Sequence, residues 1–201
     1  MNAVKNSLVK IAIVGCMGSG KSYVLNYFKN RNFLCINCDE LVANLYQFYS
    51  PLILELASLN SKLVVNDQVD KQQILNIFMY DKSQKKLIEN IIFKHVYQFL
   101  NLFFLNIKGV KYCFVEVPLL FESDGSKYFD QIIFVDRDKE LRFNSLRNSR
   151  GYSDEWLNLQ NSFLLDEDYK KLNSTVVIDN NQGFLELEQQ LEKIIERLEH
   201  E

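Results

Sequence analysis

Eight consecutive residues constrain this chain more than any others: Gly15-Cys16-Met17-Gly18-Ser19-Gly20-Lys21-Ser22. They fit G-x-x-x-x-G-K-[ST], the spacing of a loop that wraps the phosphates of a nucleoside triphosphate. Such a loop needs a buried strand before it and a helix after it. Ile11-Ala12-Ile13-Val14 is an apolar run of the kind a buried parallel strand shows. Val24, Leu25 and Phe28 follow at helical spacing. Gly15 and Gly20 let the backbone turn tightly and approach an anion without a Cβ in the way. The loop amides then converge on phosphate oxygens, helped by the positive end of the helix. The expected nucleotide-contacting set is Gly15, Cys16, Met17, Gly18, Ser19, Gly20, Lys21, Ser22 and Tyr23. Lys21 brings a mobile positive charge to the β- and γ-phosphates, and the Ser22 hydroxyl is suited to Mg²⁺. A lysine at a helix start opposes the helix dipole, so a nearby anion is needed to offset it.

The 201 residues suffice for one α/β domain with a modest insertion. A net charge of −3 gives no general electrostatic attraction to nucleic acid or to an anionic membrane. Phosphate binding must therefore be local to a site. No segment approaches the apolar length of a membrane span, and Met1 to Lys10 lack the apolar core of a signal peptide. A cytoplasmic protein is expected. Cys16, Cys35 and Cys113 read as small buried residues of a reducing compartment. Cys35-x-x-Cys38 has no second pair at metal spacing and takes the same reading. The sequence carries no signal of oligomeric state.

Beyond the loop, strands and helices alternate, which implies a three-layer, doubly wound parallel sheet of the P-loop NTPase type. Phe33-Leu34-Cys35-Ile36 reads as the second strand and delivers Asn37, Cys38 and Asp39 at its carboxyl end. In a doubly wound sheet that end faces the crevice holding the phosphate loop. Asp39 is thus a candidate to orient a hydroxyl nucleophile, take its proton or help hold Mg²⁺, and also to cap the helix that starts with Leu41, Val42 and Leu45. From Tyr46 to Lys108 the signal is helical. Leu52, Ile53, Leu56 and Leu59 follow Pro51, Asp70 precedes Ile74, Leu75 and Phe78 as a cap, and Leu87, Ile91, His95, Phe99 and Phe103 recur every four residues. His95 reads as a core or boundary residue. This helical block, about residues 47–108, is the expected acceptor lobe, inserted into a core of 8–46 and 109–201.

Tyr112 to Val117, Gln131 to Asp136 and Thr175 to Asp179 complete the strands, and Phe184, Leu187, Leu191, Ile194 and Leu198 mark a closing amphipathic helix. Glu116 and Glu122 both lie near the end of a buried strand, where an acid supports the metal or its water. Asp136 is expected to cap the next helix. Arg142, Arg147 and Arg150 lie on a helix that ends at Gly151, and Ser153 to Leu165 reads as another. Together they form an expected lid over about 138–166, where an arginine would stabilise charge on a transferring group.

Taken together these motifs resemble one family, the dephospho-CoA kinases. The phosphate loop matches the family's first signature. Ile36-Asn37-Cys38-Asp39 stands where the family has Asp-x-Asp, with Asp39 on the second acid. Val69-Asp70-Lys71 is similar to its Leu-Asp-Arg segment, Val117-Pro118-Leu119-Leu120-Phe121-Glu122 to its most recognisable signature, and Ile178-Asp179-Asn180-Asn181 to its last strand and turn. The resemblance covers nearly the whole chain. It implies transfer of the ATP γ-phosphoryl group to the 3′-hydroxyl of dephospho-CoA with Mg²⁺, with Asp39 as base and with Lys21, Lys71, Glu122 and an arginine among 142, 147 and 150 assisting. There are departures. The first acid is Asn37, the His-Pro pair of the long helix is Phe93-Lys94, and the lid arginines and glutamine fall on Ser145, Ser149 and Leu164. Two other readings fit the residues: a kinase for another small acceptor such as a nucleoside monophosphate, and a nucleotide-binding module that has lost catalysis.

Overall fold

In the computed structural model, which describes residues 8–200, the chain opens with β1 (Val9–Val14), α1 (Lys21–Asn30), β2 (Leu34–Asn37), α2 (Cys38–Phe48) and α3 (Ser50–Leu59). Then come β3 (Val64–Val65), β4 (Gln68–Val69), α4 (Lys71–Tyr80), α5 (Lys82–Asn106), β5 (Tyr112–Glu116) and β6 (Gln131–Asp136). The chain closes with α6 (Lys139–Arg150), α7 (Asp154–Ser162), α8 (Glu167–Leu172), β7 (Val176–Asp179) and α9 (Phe184–His200). Two compact units result, one formed by residues up to Asn37 together with those from Gly109 onward, the other by Cys38–Lys108.

The first unit is built on a five-stranded sheet in the order β2-β5-β1-β6-β7. Every pairing in it is parallel, and α-helices make the crossovers between its consecutive strands except from β5 to β6. β1 is central, and its residues from Ile11 to Val14 are buried on both faces, as the unbroken apolar run requires. One face packs Ile11, Ile13, Phe114, Ile133, Val135 and Ile178 against Val24 and Phe28 of α1 and Leu187, Leu191 and Leu198 of α9. Phe28 stacks on Phe114 with ring centroids 3.9 Å apart. Burial pushes the Cys113 thiol up to about 12 and that of Cys35 to about 11, in keeping with thiols used as small apolar groups.

The order β2-β5-β1 places the reversal of strand order between β1 and its neighbours, with all carboxyl ends on one side. Ligands bind in that position in open α/β sheets. The glycines of the loop are fixed from below. A Cβ on Gly15 would lie 2.6 Å from both the Ser19 hydroxyl and the Val135 carbonyl, and one on Gly20 would lie 2.5 Å from the Asn180 amide, both at positive φ.

In the second unit, Asp70 caps α4 by accepting from the amides of Gln72 and Gln73, as its position before the apolar pattern implied. Asp81 does the same for α5. His95 is 4% exposed, and its Nε2 lies 2.7 Å from a Glu55 oxygen. The sequence reading found no strand here, yet β3 and β4 form a small antiparallel hairpin. Its turn residues Asn66 and Asp67 both adopt positive φ, 50° and 59°, which suits a tight two-residue turn.

Three other expectations give way. Asp136 does not cap α6; Asp138 does, by accepting from the amides of Glu140 and Leu141, while Asp136 pairs with Lys171 at 3.0 Å. Asp39 lies inside the first turn of α2, which already begins at Cys38. The helix expected up to Leu165 stops at Ser162, and α8 follows as a separate short element.

Candidate active site

The phosphate loop joins β1 to α1 directly. Gly20 occupies the cap position in a left-handed conformation with no side-chain cap, so the first amides of α1 have no capping side chain of the residue before them. A helix start built this way suits an anion. The Lys21 ammonium folds back over the loop and donates to the Cys16 carbonyl at 3.1 Å. Asn180, from the turn after β7, donates to the Ser19 carbonyl at 2.7 Å. Arg137, from the turn after β6, donates to the Gly18 carbonyl at 3.2 Å. The loop is thus braced by the ends of two strands beside it.

Glu116 ends β5 and is 3% exposed. Its Oε1 accepts from the Ser22 hydroxyl at 3.0 Å, and its Oε2 accepts from the Asn37 amide at 2.9 Å. Glu122, the other acid considered at this strand end, points elsewhere. It pairs with the buried Lys170 of α8 at 2.6 Å and accepts from the Leu165 amide at 3.1 Å. The two glutamates therefore divide: Glu116 joins the phosphate-loop serine, and Glu122 anchors the segment around α8.

An oxygen-only set of a hydroxyl and a carboxylate fits magnesium, which takes few protein ligands and keeps waters and phosphate oxygens. Among the described residues no group of three or more His, Cys, Asp and Glu side chains is gathered to hold a metal.

The lid arginines have different fates. Arg142 is 2% exposed, and its guanidinium donates to Glu167 of α8 at 2.9 Å and to the Arg137 carbonyl at 2.8 Å. It is committed to holding α6 and α8 together. Arg147 pairs with Asp154 of α7 and bonds Asn144. Arg150 is exposed on the last turn of α6. Ser149 donates to the Ser145 carbonyl at 2.7 Å within α6.

Glu167 also accepts from the Cys16 thiol at 3.5 Å. Burial, the largest influence, holds that thiol above its usual range, so it stays protonated and able to donate. The Tyr23 side chain does not turn to the loop: it bonds Glu188 and packs on Phe184 of α9. Only its backbone amide remains for the nucleotide. Asp39, exposed in the first turn of α2, and Lys71, exposed at the start of α4, belong to the second compact unit.

Sequence reasoning missed Arg137, Glu167 and Lys170. The first left a trace, a cation set between Asp136 and Asp138 right after a strand. The other two lie on a helix of six residues, too short to display a period.

Known proteins of similar sequence and fold share one family description. The family model "Dephospho-CoA kinase" matches residues 9–186. A relative of that name from Rickettsia felis is 27% identical over 198 residues, covering 94% of this chain and 96% of its own length. The crystal structure of TT1252 from Thermus thermophilus superposes with a TM-score of 0.80 at 24% identity, over 94% of this chain and 97% of that one. The dephospho-CoA kinase from Campylobacter jejuni gives 0.68 at 20% identity, over 95% and 97%. Both structures share the fold described above.

Proposed function

The chain belongs to the dephospho-CoA kinase family, and from that premise we propose how its own residues divide the labour of moving the ATP γ-phosphoryl group to the 3′-hydroxyl of dephospho-CoA. The products are coenzyme A and ADP, and the reaction is the last step of coenzyme A synthesis. One observation carries the reading: the family match spans residues 9–186, which take in the phosphate loop, the helical unit and the strands after it. A match confined to the loop would fit any acceptor. This one includes the part of the chain that has no counterpart in the phosphate-binding function alone.

The loop amides from Gly15 to Tyr23 and the Lys21 ammonium hold the triphosphate. The Ser22 hydroxyl and the Glu116 carboxylate, 3.0 Å apart, would hold magnesium. When bound, magnesium supplies neutralisation of the phosphate charge. Asp39 accepts the proton of the attacking 3′-hydroxyl. It follows Asn37, the last residue of β2, by two positions along the chain. Its carboxylate suits the positive end of α2. The hydroxyl oxygen forms the new bond to phosphorus as the bond to the ADP oxygen breaks, and the proton ends on Asp39 and then solvent.

Arg150, exposed at the end of α6, and Arg147, whose pair with Asp154 is open to solvent, are the arginines of α6 that would meet phosphate charge, since the Arg142 guanidinium is buried in its pair. Lys71 meets the acidic groups of the acceptor. The reaction is assigned to the cytoplasm. No helix among the described residues is long and apolar enough to cross a membrane.

Purified protein with ATP, magnesium and dephospho-CoA is expected to release coenzyme A and ADP one for one. Asp39→Asn should lower kcat by about 10²–10⁴ while ATP binding persists. A folded, magnesium-supplied protein that turns over a nucleoside monophosphate in preference to dephospho-CoA, or turns over neither, would refute the assignment.

A further inference from the structure

The resembled motif has an acid where this chain has Asn37, and the geometry at that position gives the substitution a purpose. Asn37 and Glu116 stand opposite one another on adjacent parallel strands, the last paired residues of β2 and β5. The Asn37 amide donates to Glu116 Oε2 at 2.9 Å while the Ser22 hydroxyl donates to Oε1 at 3.0 Å. A carboxylate that is 3% exposed needs both oxygens satisfied.

We propose that Asn37 is a positioning residue. Its amide fixes one oxygen of Glu116 so that the other stays aimed at Ser22, where the magnesium of the bound nucleotide is held. An ionised aspartate has acceptors only and would meet Glu116 with like charge, so it could not make this bond. The amide therefore lets a single carboxylate serve the metal side of the site. The inference rests on the reading that Ser22 and Glu116 hold magnesium, and its test separates the two.

The test is the affinity of a non-hydrolysable ATP analogue, measured by calorimetry with magnesium and again with EDTA. The proteins are wild type, Asn37→Ala, Asn37→Ser, Glu116→Gln and Asn37→Ala/Glu116→Gln, each checked for folding by its thermal melt. Asn37→Ala should weaken the magnesium-dependent affinity about tenfold, the usual worth of a hydrogen bond to a charged group, and leave the affinity in EDTA within about twofold. Asn37→Ser, a second truncation that leaves a polar atom in place, should weaken it in the same direction. The double variant should be no worse than Glu116→Gln alone, because Asn37 acts through Glu116. An Asn37→Ala loss that is equal with and without Glu116, or equal in magnesium and EDTA, overturns the positioning role. A Glu116→Gln protein that keeps its full magnesium dependence overturns the underlying metal assignment, and the inference with it.

Discussion

The pair formed by Arg142 and Glu167 makes an asymmetric prediction. The guanidinium is 2% exposed, the carboxylate 30%, and they meet at 2.9 Å. Glu167→Gln keeps the shape but leaves a buried cation without its countercharge. Breaking a buried pair this way costs about 3–5 kcal/mol. Water reaches Glu167, so screening brings the expected cost down to about 2–3 kcal/mol. Arg142→Met takes the buried charge away with the pair. The Glu167 it leaves behind is wetted and still has Lys171 at 3.7 Å. What remains is the lost bond to the Arg137 carbonyl, and the total should be about 1–2 kcal/mol. In a chain of this size that is a melting temperature lower by about 4–12 °C for Glu167→Gln and about 2–8 °C for Arg142→Met. Circular dichroism melts, with urea titrations to check that the slope is unchanged, measure both. If Arg142→Met melts as low as Glu167→Gln or lower, the buried guanidinium is worth more than its pairing, and the reasoning fails.

Three further outcomes follow from the same geometry. Gly20→Ala should abolish ATP binding by calorimetry and lower stability by about 2 kcal/mol or more, since its Cβ would meet the Asn180 amide at 2.5 Å in a left-handed conformation. Asp70→Ala removes the cap of α4 and should cost about 1 kcal/mol in a urea titration, with ATP affinity unchanged. Stability should fall as pH rises above 9, because burial holds the Cys113 thiol up to about 12 while the thiol of the unfolded chain ionises near its ordinary value of 9.0. The unfolded chain then binds fewer protons than the folded one, and stability drops by up to about 1.4 kcal/mol per pH unit for each such thiol. Urea titrations from pH 8 to 11 should show this slope, and Cys113→Ala should make it shallower by one thiol's share, Cys35 keeping its own.

The parts of the fold that depend on neighbours in sequence were legible. The phosphate loop, the apolar strands and the cap at Asp70 each announce themselves within a few residues. What depends on register was not. Glu116 and Glu122 are equivalent acids in sequence, and only the pairing of β2 with β5, and the position of Ser22 at the start of α1, makes Glu116 the one that meets the serine. Arg142 was read as a lid arginine because arginines cluster on α6. Yet it lies four residues before Leu146 and next to Phe143, both buried, so it shares the helix's inner face, and its charge must find a partner there. That partner, Glu167, sits on a helix with no period of its own. Asp136 and Asp138 show the same limit: both precede α6, and the exact helix start decides which one caps it. The small hairpin escaped because its strands are two residues each, although Asn66-Asp67 carried the turn chemistry.

The braces on the phosphate loop bear on how the protein is made. The loop occupies residues 15–22, but the strands that flank β1 are β5 and β6, about a hundred residues further on, and the side chain that holds the Ser19 carbonyl is Asn180. A nascent chain therefore carries its nucleotide-binding sequence unframed until β5 and β6 have followed, and without its Asn180 brace until after β7. These contacts of high sequence separation close only once the last strand emerges. Chains stalled or truncated before residue 180 should have no grip on ATP, so the loop is finished only by a residue made long after it.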